Sequence, residues 1–150
     1  EEYSKKMKTR VVQTIEGSSF LVPVKIIKKY GFMREDFFMY VEEVDYCYRL
    51  KKLGVKSFVV PKSIVIHKGA DSLKEKKYLE IYYRRRNFLY FEKTHNGKSV
   101  IKNIYKRVGI TSFIKYFIMY ILGYKNKDNN YYLKLANLHA LFNKKGKLKE

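Results

Sequence analysis

Apolar and polar positions change rhythm several times along the chain. The first ten residues are polar and charged and read as a loop or a frayed end. Residues 11–15 (VVQTI) read as a strand, and Gly17-Ser18-Ser19 then interrupts before a second apolar run at 20–24. A glycine followed by two small residues lets backbone pass close to something bulky; a bulge or tight turn is the simpler alternative. Pro23 suits the first turn of a short helix, VKIIKKY, which Gly31 ends. Residues 32–40 are rich in aromatics around Arg34, Glu35 and Asp36 and read as a loop or a single helical turn. A helix should follow from about Glu42 to Leu53. Its acids stand at the start and Lys51 and Lys52 in the last turn, which suits the helix macrodipole. Cys47, Leu50 and Leu53 recur at spacings of three on the face expected to pack, and Asp45 and Arg49 can pair across one turn.

Residues 55–60 (VKSFVV) read as a strand closed by Pro61, and 63–67 (SIVIH) as a second short strand ending at His67. Gly69, Asp71 and Ser72 signal a loop. From about 74 to 94 the pattern is helical, with Tyr78, Ile81, Tyr82, Phe88, Leu89 and Phe91 as expected apolar contacts, until His95-Asn96-Gly97 stops it. The last third carries the run VGITSFIKYFIMYILGY, interrupted only by Lys115. A membrane span needs about 20 apolar residues, which this run does not supply. It suits an interfacial helix, with Phe113, Tyr116, Phe117, Tyr120 and Ile121 on one side and Lys102, Lys106 and Arg107 just before it; a buried helix of a small helical subdomain is the alternative. Residues 128–143 read as a further helix and 144–149 as a basic tail. No internal repeat is visible.

Composition changes this picture at three points. Hydrophobic residues make up 46% of the chain, too many for disorder. The formal net charge of +19 points to phosphates, on nucleic acid or on lipid, unless it reflects only a lysine-rich compositional drift. Cys47 is the one cysteine, so a disulfide framework and a thiolate metal cluster are excluded, and a small buried hydrophobe is its expected role. The opening EEYSKKMKTR lacks the apolar core of a signal peptide, and the chain starts without Met, so it reads as a piece of a longer protein.

The candidate chemistry lies in FFMYVEEVDYCYRLKKL. A carboxylate at a helix start has its ionised form favoured by backbone N–H groups and the dipole, which suits general-base work. Glu42 and Glu43 are the candidates; an ordinary helix cap is the plain alternative. His67 at a strand end is suited to a divalent metal, or is simply a surface histidine.

These residues also carry a resemblance. The stretch GSSFLVPVKIIKKYGFMREDFFMYVEEVDYCYRLKKLGVKSFVVPKSIVIHKG resembles the C-terminal half of a family-two glycosyltransferase catalytic domain of the rhamnosyltransferase-like kind. The matching features are Gly17, Gly31, the Phe37-Phe38 pair, YVEEVDYCYRLKKLG, Val60-Pro61, His67, and Tyr83 with Arg86-Asn87; together they cover roughly residues 11–95. The resemblance implies a GT-A fold: an α/β sheet with the nucleotide-sugar site in its N-terminal half and the acceptor site in its C-terminal half. It implies an inverting transfer in which a carboxylate takes the proton of the attacking hydroxyl. The family's Glu-Asp pair is Glu42-Glu43 here. Glu43 therefore stands at the base position with one extra methylene, and Glu42 stays a second candidate. Gly17, Ser18, Asp45, Arg49, Arg86 and Asn87 are implied to bind the acceptor or orient the site, and His67 to ligate Mg²⁺ or Mn²⁺ on the leaving diphosphate. Arg34 stands where the family usually has an acid, so the acceptor loop is expected to differ.

The family's nucleotide-binding half and its Asp-x-Asp motif have no counterpart in this chain. The expected organisation is a truncated GT-A-like α/β half with a short mixed sheet over residues 1–96, then a basic amphipathic helical region over 97–150. The implied partners are a nucleotide-sugar donor held by the absent half, a cell-envelope glycan or lipid-linked acceptor, and an anionic membrane at the cytoplasmic face. The competing reading is a non-catalytic basic module for anionic membrane or nucleic acid. Against its nucleic-acid form, no nucleic-acid motif is present and the aromatics fall at core-like spacings.

Overall fold

A computed structural model describes residues 8–67, 77–123 and 128–148. The fold is mixed α/β and mostly helical, with a two-stranded antiparallel sheet among the described residues. The chain forms two compact units. One comprises residues up to Arg34 together with Glu42–Gly69; the other comprises Glu35–Val41 and the chain from Ala70 onward. The division does not fall at residue 96: the helix ending there packs with the helices that follow it.

In the first unit, β1 (Arg10–Val12) pairs with β2 (Ser57–Val59) in the register Arg10↔Val59, Val11↔Phe58, Val12↔Ser57. Both strands are shorter than the sequence suggests. The run at 20–24 is no strand: Pro23, with φ −59, stands at the N-cap of α1 (Val24–Tyr30), and Leu21 is almost wholly exposed. Proline offers no ladder N–H and its φ is set for a helix start, so the local choice is decided. Residues 63–67 are not a strand either. They are exposed and lie outside the β1–β2 ladder, so hydrophobic sequence alone has not made a strand. Gly31 closes α1 at φ 78, where its N–H donates to Ile27 O.

α2 (Glu42–Lys52) runs almost as its caps predict and buries Asp45, Tyr46, Cys47 and Leu50. Leu53 departs from the expected face. The helix ends at Lys52, a turn through Gly54 follows, and Leu53 is left half exposed. Tyr46 anchors this unit. Its ring meets Phe20 and Phe32 edge-on at 5.9 and 5.4 Å, and its hydroxyl donates to Gly31 O at 3.2 Å.

The second unit is built on α3 (Lys77–Asn96) against α6 (Asn129–Leu141), around Tyr82, Tyr83, Tyr132, Leu135 and Ala136. Phe88, an expected contact on α3, is exposed instead. A second cluster joins Leu89 and Ala140 to Val100 and Ile104 of α4 (Val100–Val108). The single interfacial helix expected near 100–124 is two helices, because Gly109 at φ 74 ends α4 and begins α5 (Ile110–Ile121). A left-handed φ costs glycine little and most other residues more, so the break falls there. Ser99 Oγ caps α4 through Lys102 N–H, and Asp128 caps α6 by accepting from Tyr131 N–H at 2.6 Å. Residues 144–148 are not a free tail: Gly146 N–H donates to Asp36 O at 2.8 Å and Leu148 N–H to Tyr83 Oη at 2.9 Å. The loop expected at Gly69, Asp71 and Ser72 lies outside the described residues. Among the described residues no helix is long and apolar enough to cross a membrane.

Candidate functional site

The first turn of α2 carries the paired acids. Burial raises the proton affinity of Glu42, and the charge of Glu43 adds to this, against a lowering hydrogen bond from the backbone N–H of Glu42. Its Oε2 is buried and has no hydrogen-bond partner among the described residues. A carboxylate oxygen in this state has unspent accepting capacity, which in a functional site is filled by a ligand.

Glu43 lies beside Gly17, which sits in the turn at residues 17–18 rather than opening a strand. A methyl group on Gly17 would come within 3.9 Å of Glu43 Cβ and Cγ and 4.0 Å of Cδ. These are ordinary contact distances, so the glycine is not forced by a clash; it leaves open space next to the carboxylate. Ser18 is exposed in the same turn.

One turn further along α2, Asp45 is fully buried and ion-paired. Arg49 Nε donates to its Oδ2 at 2.8 Å, and Arg34 Nη1 lies 3.9 Å from Oδ1. Arg49 Nη2 also donates to Phe32 O at 2.8 Å, tying α2 to the segment after α1. The pair is therefore structural glue for the helix that carries the acids. Removing the guanidinium with Arg49→Met takes the 2.8 Å partner from a fully buried carboxylate, which should cost about 3 kcal/mol of stability. Asp45→Asn/Arg49→Met should cost clearly less than the sum of the single changes, because it leaves no buried charge. Urea unfolding of the four proteins measures this, and additive losses would show that the pair is not coupled.

Arg86 and Asn87 belong to the second unit and are buried, with 2% and 1% of their surface exposed. Neither is offered to an acceptor. Asn87 Nδ2 donates to Phe37 O, Met39 O and Tyr40 O at 2.9, 2.7 and 2.8 Å. Arg86 donates to Phe37 O at 2.9 Å, to Gly146 O at 2.7 Å and to Asn87 Oδ1 at 2.9 Å. These contacts gather the backbone carbonyls of residues 37–40. The segment they hold is strained: Phe38, Tyr40 and Val41 have φ of 63, 65 and 73. Left-handed backbone at a β-branched residue is uncommon and costs on the order of 1–3 kcal/mol. It persists because its carbonyls are collected from outside, and it leads directly in sequence into Glu42. Nothing in FFMYV announces this conformation, since it holds no glycine, asparagine or aspartate.

His67 is exposed at the end of the segment after Pro61. Among the described residues no group of three His, Cys, Asp or Glu side chains is gathered to hold a metal ion. One imidazole falls short of a Mg²⁺ or Mn²⁺ site, so no step below passes through a metal.

Two hollows have neither Glu42 nor Glu43 in their lining. One of about 550 Å³ is lined by β1, β2, Lys51 and Gly54 and has no carboxylate in its walls. The other, of about 290 Å³, is lined by Tyr82, Arg86, His139, Leu148 and three lysines. In it Arg86 Nη1 lies 3.4 Å from Tyr82 Oη, so the Tyr82 hydroxyl donates onward to His139 Nδ1 at 2.6 Å and the imidazole is neutral. Burial, with Lys144 and Arg86 nearby, lowers its pKa from 6.5 to about 4. The unfolded chain therefore binds the extra proton between these values. The contribution is full above pH 6.5 and is lost as pH falls toward 4; the shift corresponds to about 3 kcal/mol, of which solvent screening leaves roughly 2 kcal/mol. Urea midpoints of the native chain should fall more steeply over that window than those of His139→Gln; equal slopes would refute this.

Compared with known proteins, the chain matches no family model, no curated protein and no solved structure.

Proposed function

We propose that this chain is the acceptor-side part of an inverting, nucleotide-sugar-dependent glycosyltransferase of the GT-A type. Its acceptor is a cell-envelope glycan or a lipid-linked sugar, and the donor is bound by residues outside this chain. The observation that supports the reading is the acid pair at the head of α2: a buried Glu42 oxygen with no partner among the described residues, followed by Glu43, whose side chain lies along Gly17. In the transfer, the acceptor oxygen bonds to the anomeric carbon while the bond from that carbon to the diphosphate breaks on the opposite face. The electron pair leaves with the diphosphate, and the hydroxyl proton passes to Glu43. Glu42, whose proton affinity is raised by burial, stands next to it in the chain as the second candidate for that proton. Asp45 and Arg49 fix the helix that presents both acids. A divalent ion on the diphosphate would belong with the donor-binding residues.

The test uses the full-length polypeptide that contains this chain, with a panel of nucleotide sugars and envelope glycans. Acceptor-dependent release of nucleoside diphosphate is expected, and Glu42→Gln/Glu43→Gln should remove it while circular dichroism is unchanged. Release that ignores the acceptor, or that survives in the double variant, would end this reading.

A further inference from the structure

α5 is apolar on both of its faces, and only one of them is covered. Phe113, Tyr116, Phe117 and Tyr120 form the half-buried face: Phe113 packs on the cluster of Leu89, Val100, Ile104 and Ala140, Phe117 meets Phe142 at 6.2 Å and Tyr120 meets His139 at 6.0 Å. These are four of the five residues that amphipathic patterning assigns to a membrane. The fifth, Ile121, belongs to the other face. There Ile110, Ile114, Ile118 and Ile121 recur at helical spacing and are 51–65% exposed, with Leu122 beyond them at 77%. A helix that is apolar all round is normally enclosed, so the aliphatic face calls for an apolar neighbour.

Charge selects the neighbour. Neither α4 nor α5 contains an acid, and from 97 to 148 the only acid is Asp128. Lys115 borders the aliphatic face on α5, and the exposed part of α4 combines Ile101 and Tyr105 with Lys102, Lys106 and Arg107. A protein partner could match the apolar side chains. An anionic bilayer matches both, since aliphatic residues enter the headgroup boundary while cations meet the phosphates. α5, with 12 residues, lies along such a surface rather than crossing it.

We infer that the Ile110–Ile114–Ile118–Ile121 face of α5 seats the protein on an anionic lipid surface. The inference stands apart from the transfer reading, because no turnover enters its test. The intact chain is sedimented with vesicles of phosphatidylcholine, alone or mixed with phosphatidylglycerol. Binding to the mixed vesicles and little to the neutral ones is expected. Ile114→Ser/Ile118→Ser should weaken it by about tenfold or more, and Lys102→Ser/Lys106→Ser by about 25-fold, roughly fivefold for each cation. Both pairs are exposed, so the variants should fold as the native chain does. No sedimentation with the mixed vesicles, equal sedimentation with both kinds, or sedimentation untouched by the isoleucine changes would overturn the inference. So would a lipid-free dimer in light scattering that Ile114→Ser/Ile118→Ser returns to a monomer, since a second copy would then be what covers the face.

Discussion

Glu43→Gln should lower kcat for the proposed sugar transfer by roughly 10²–10⁴-fold, the usual contribution of a positioned general base. Glutamine has almost the same shape, so the contact with Gly17 and the start of α2 are kept, and KM for the acceptor should move only a few-fold. Glu42→Gln should behave differently. It leaves the Glu43 carboxylate in place, so substantial turnover should remain. Nucleoside diphosphate release followed across acid and neutral pH separates the two. If Glu42→Gln were inert and Glu43→Gln active, the buried oxygen of Glu42 would be the proton acceptor and the assignment would be reversed.

Asn87→Ala should be among the most destabilising single changes in the second unit. One amide nitrogen with two hydrogens serves three carbonyls there, one hydrogen being shared. Arg86 still covers Phe37 O after the change, but it makes no bond to Met39 O or Tyr40 O. Taking the amide donor from these half-buried carbonyls costs about 1–3 kcal/mol each, and the left-handed residues 38, 40 and 41 lose part of what holds them, so a loss of roughly 3 kcal/mol is expected. Asn87→Asp should be no better, because it points acceptor oxygens at acceptor oxygens. Urea unfolding gives the magnitude, and amide exchange at 37–41 gives the location. A loss below about 1 kcal/mol with those amides still protected would mean that the loop is held by something else.

What the sequence announces is mostly local. Pro23, Gly31 and Gly54 bound α1 and α2 because their φ preferences act within the residues they terminate. Asp45 and Arg49 are legible as a pair because one helical turn brings them together. The acids of the site are legible as a charge pattern at a helix start. The orphaned oxygen of Glu42 is not, since it depends on what surrounds it. Arg86 and Asn87 stand out in the sequence, but the carbonyls they serve lie 47–60 residues away, beyond any periodicity. Residues 63–67 look like a strand by composition, yet they lie outside the one described ladder. In α5 aromatics on one face and isoleucines on the other are equally apolar, so a pattern of hydrophobic positions has no way to tell inside from outside.

The turn at 35–41 has a consequence for the order in which the molecule can form. Asp36 is met by Lys145 across a sequence separation of 109, and Gly146 bonds both Asp36 and Arg86. During synthesis this segment leaves the ribosome before Arg86, Asn87 and Gly146, which bind its carbonyls. α3 brings Asn87 only after some fifty further residues, and the last clasp waits until residues 145 and 146 have emerged. Loop closure over such distances is slow compared with helix formation. α2 can therefore coil early, while the peptide leading into Glu42 stays unset until the polymer has doubled back on itself. The acids of α2 are made, and can be helical, before the backbone just ahead of them is fixed.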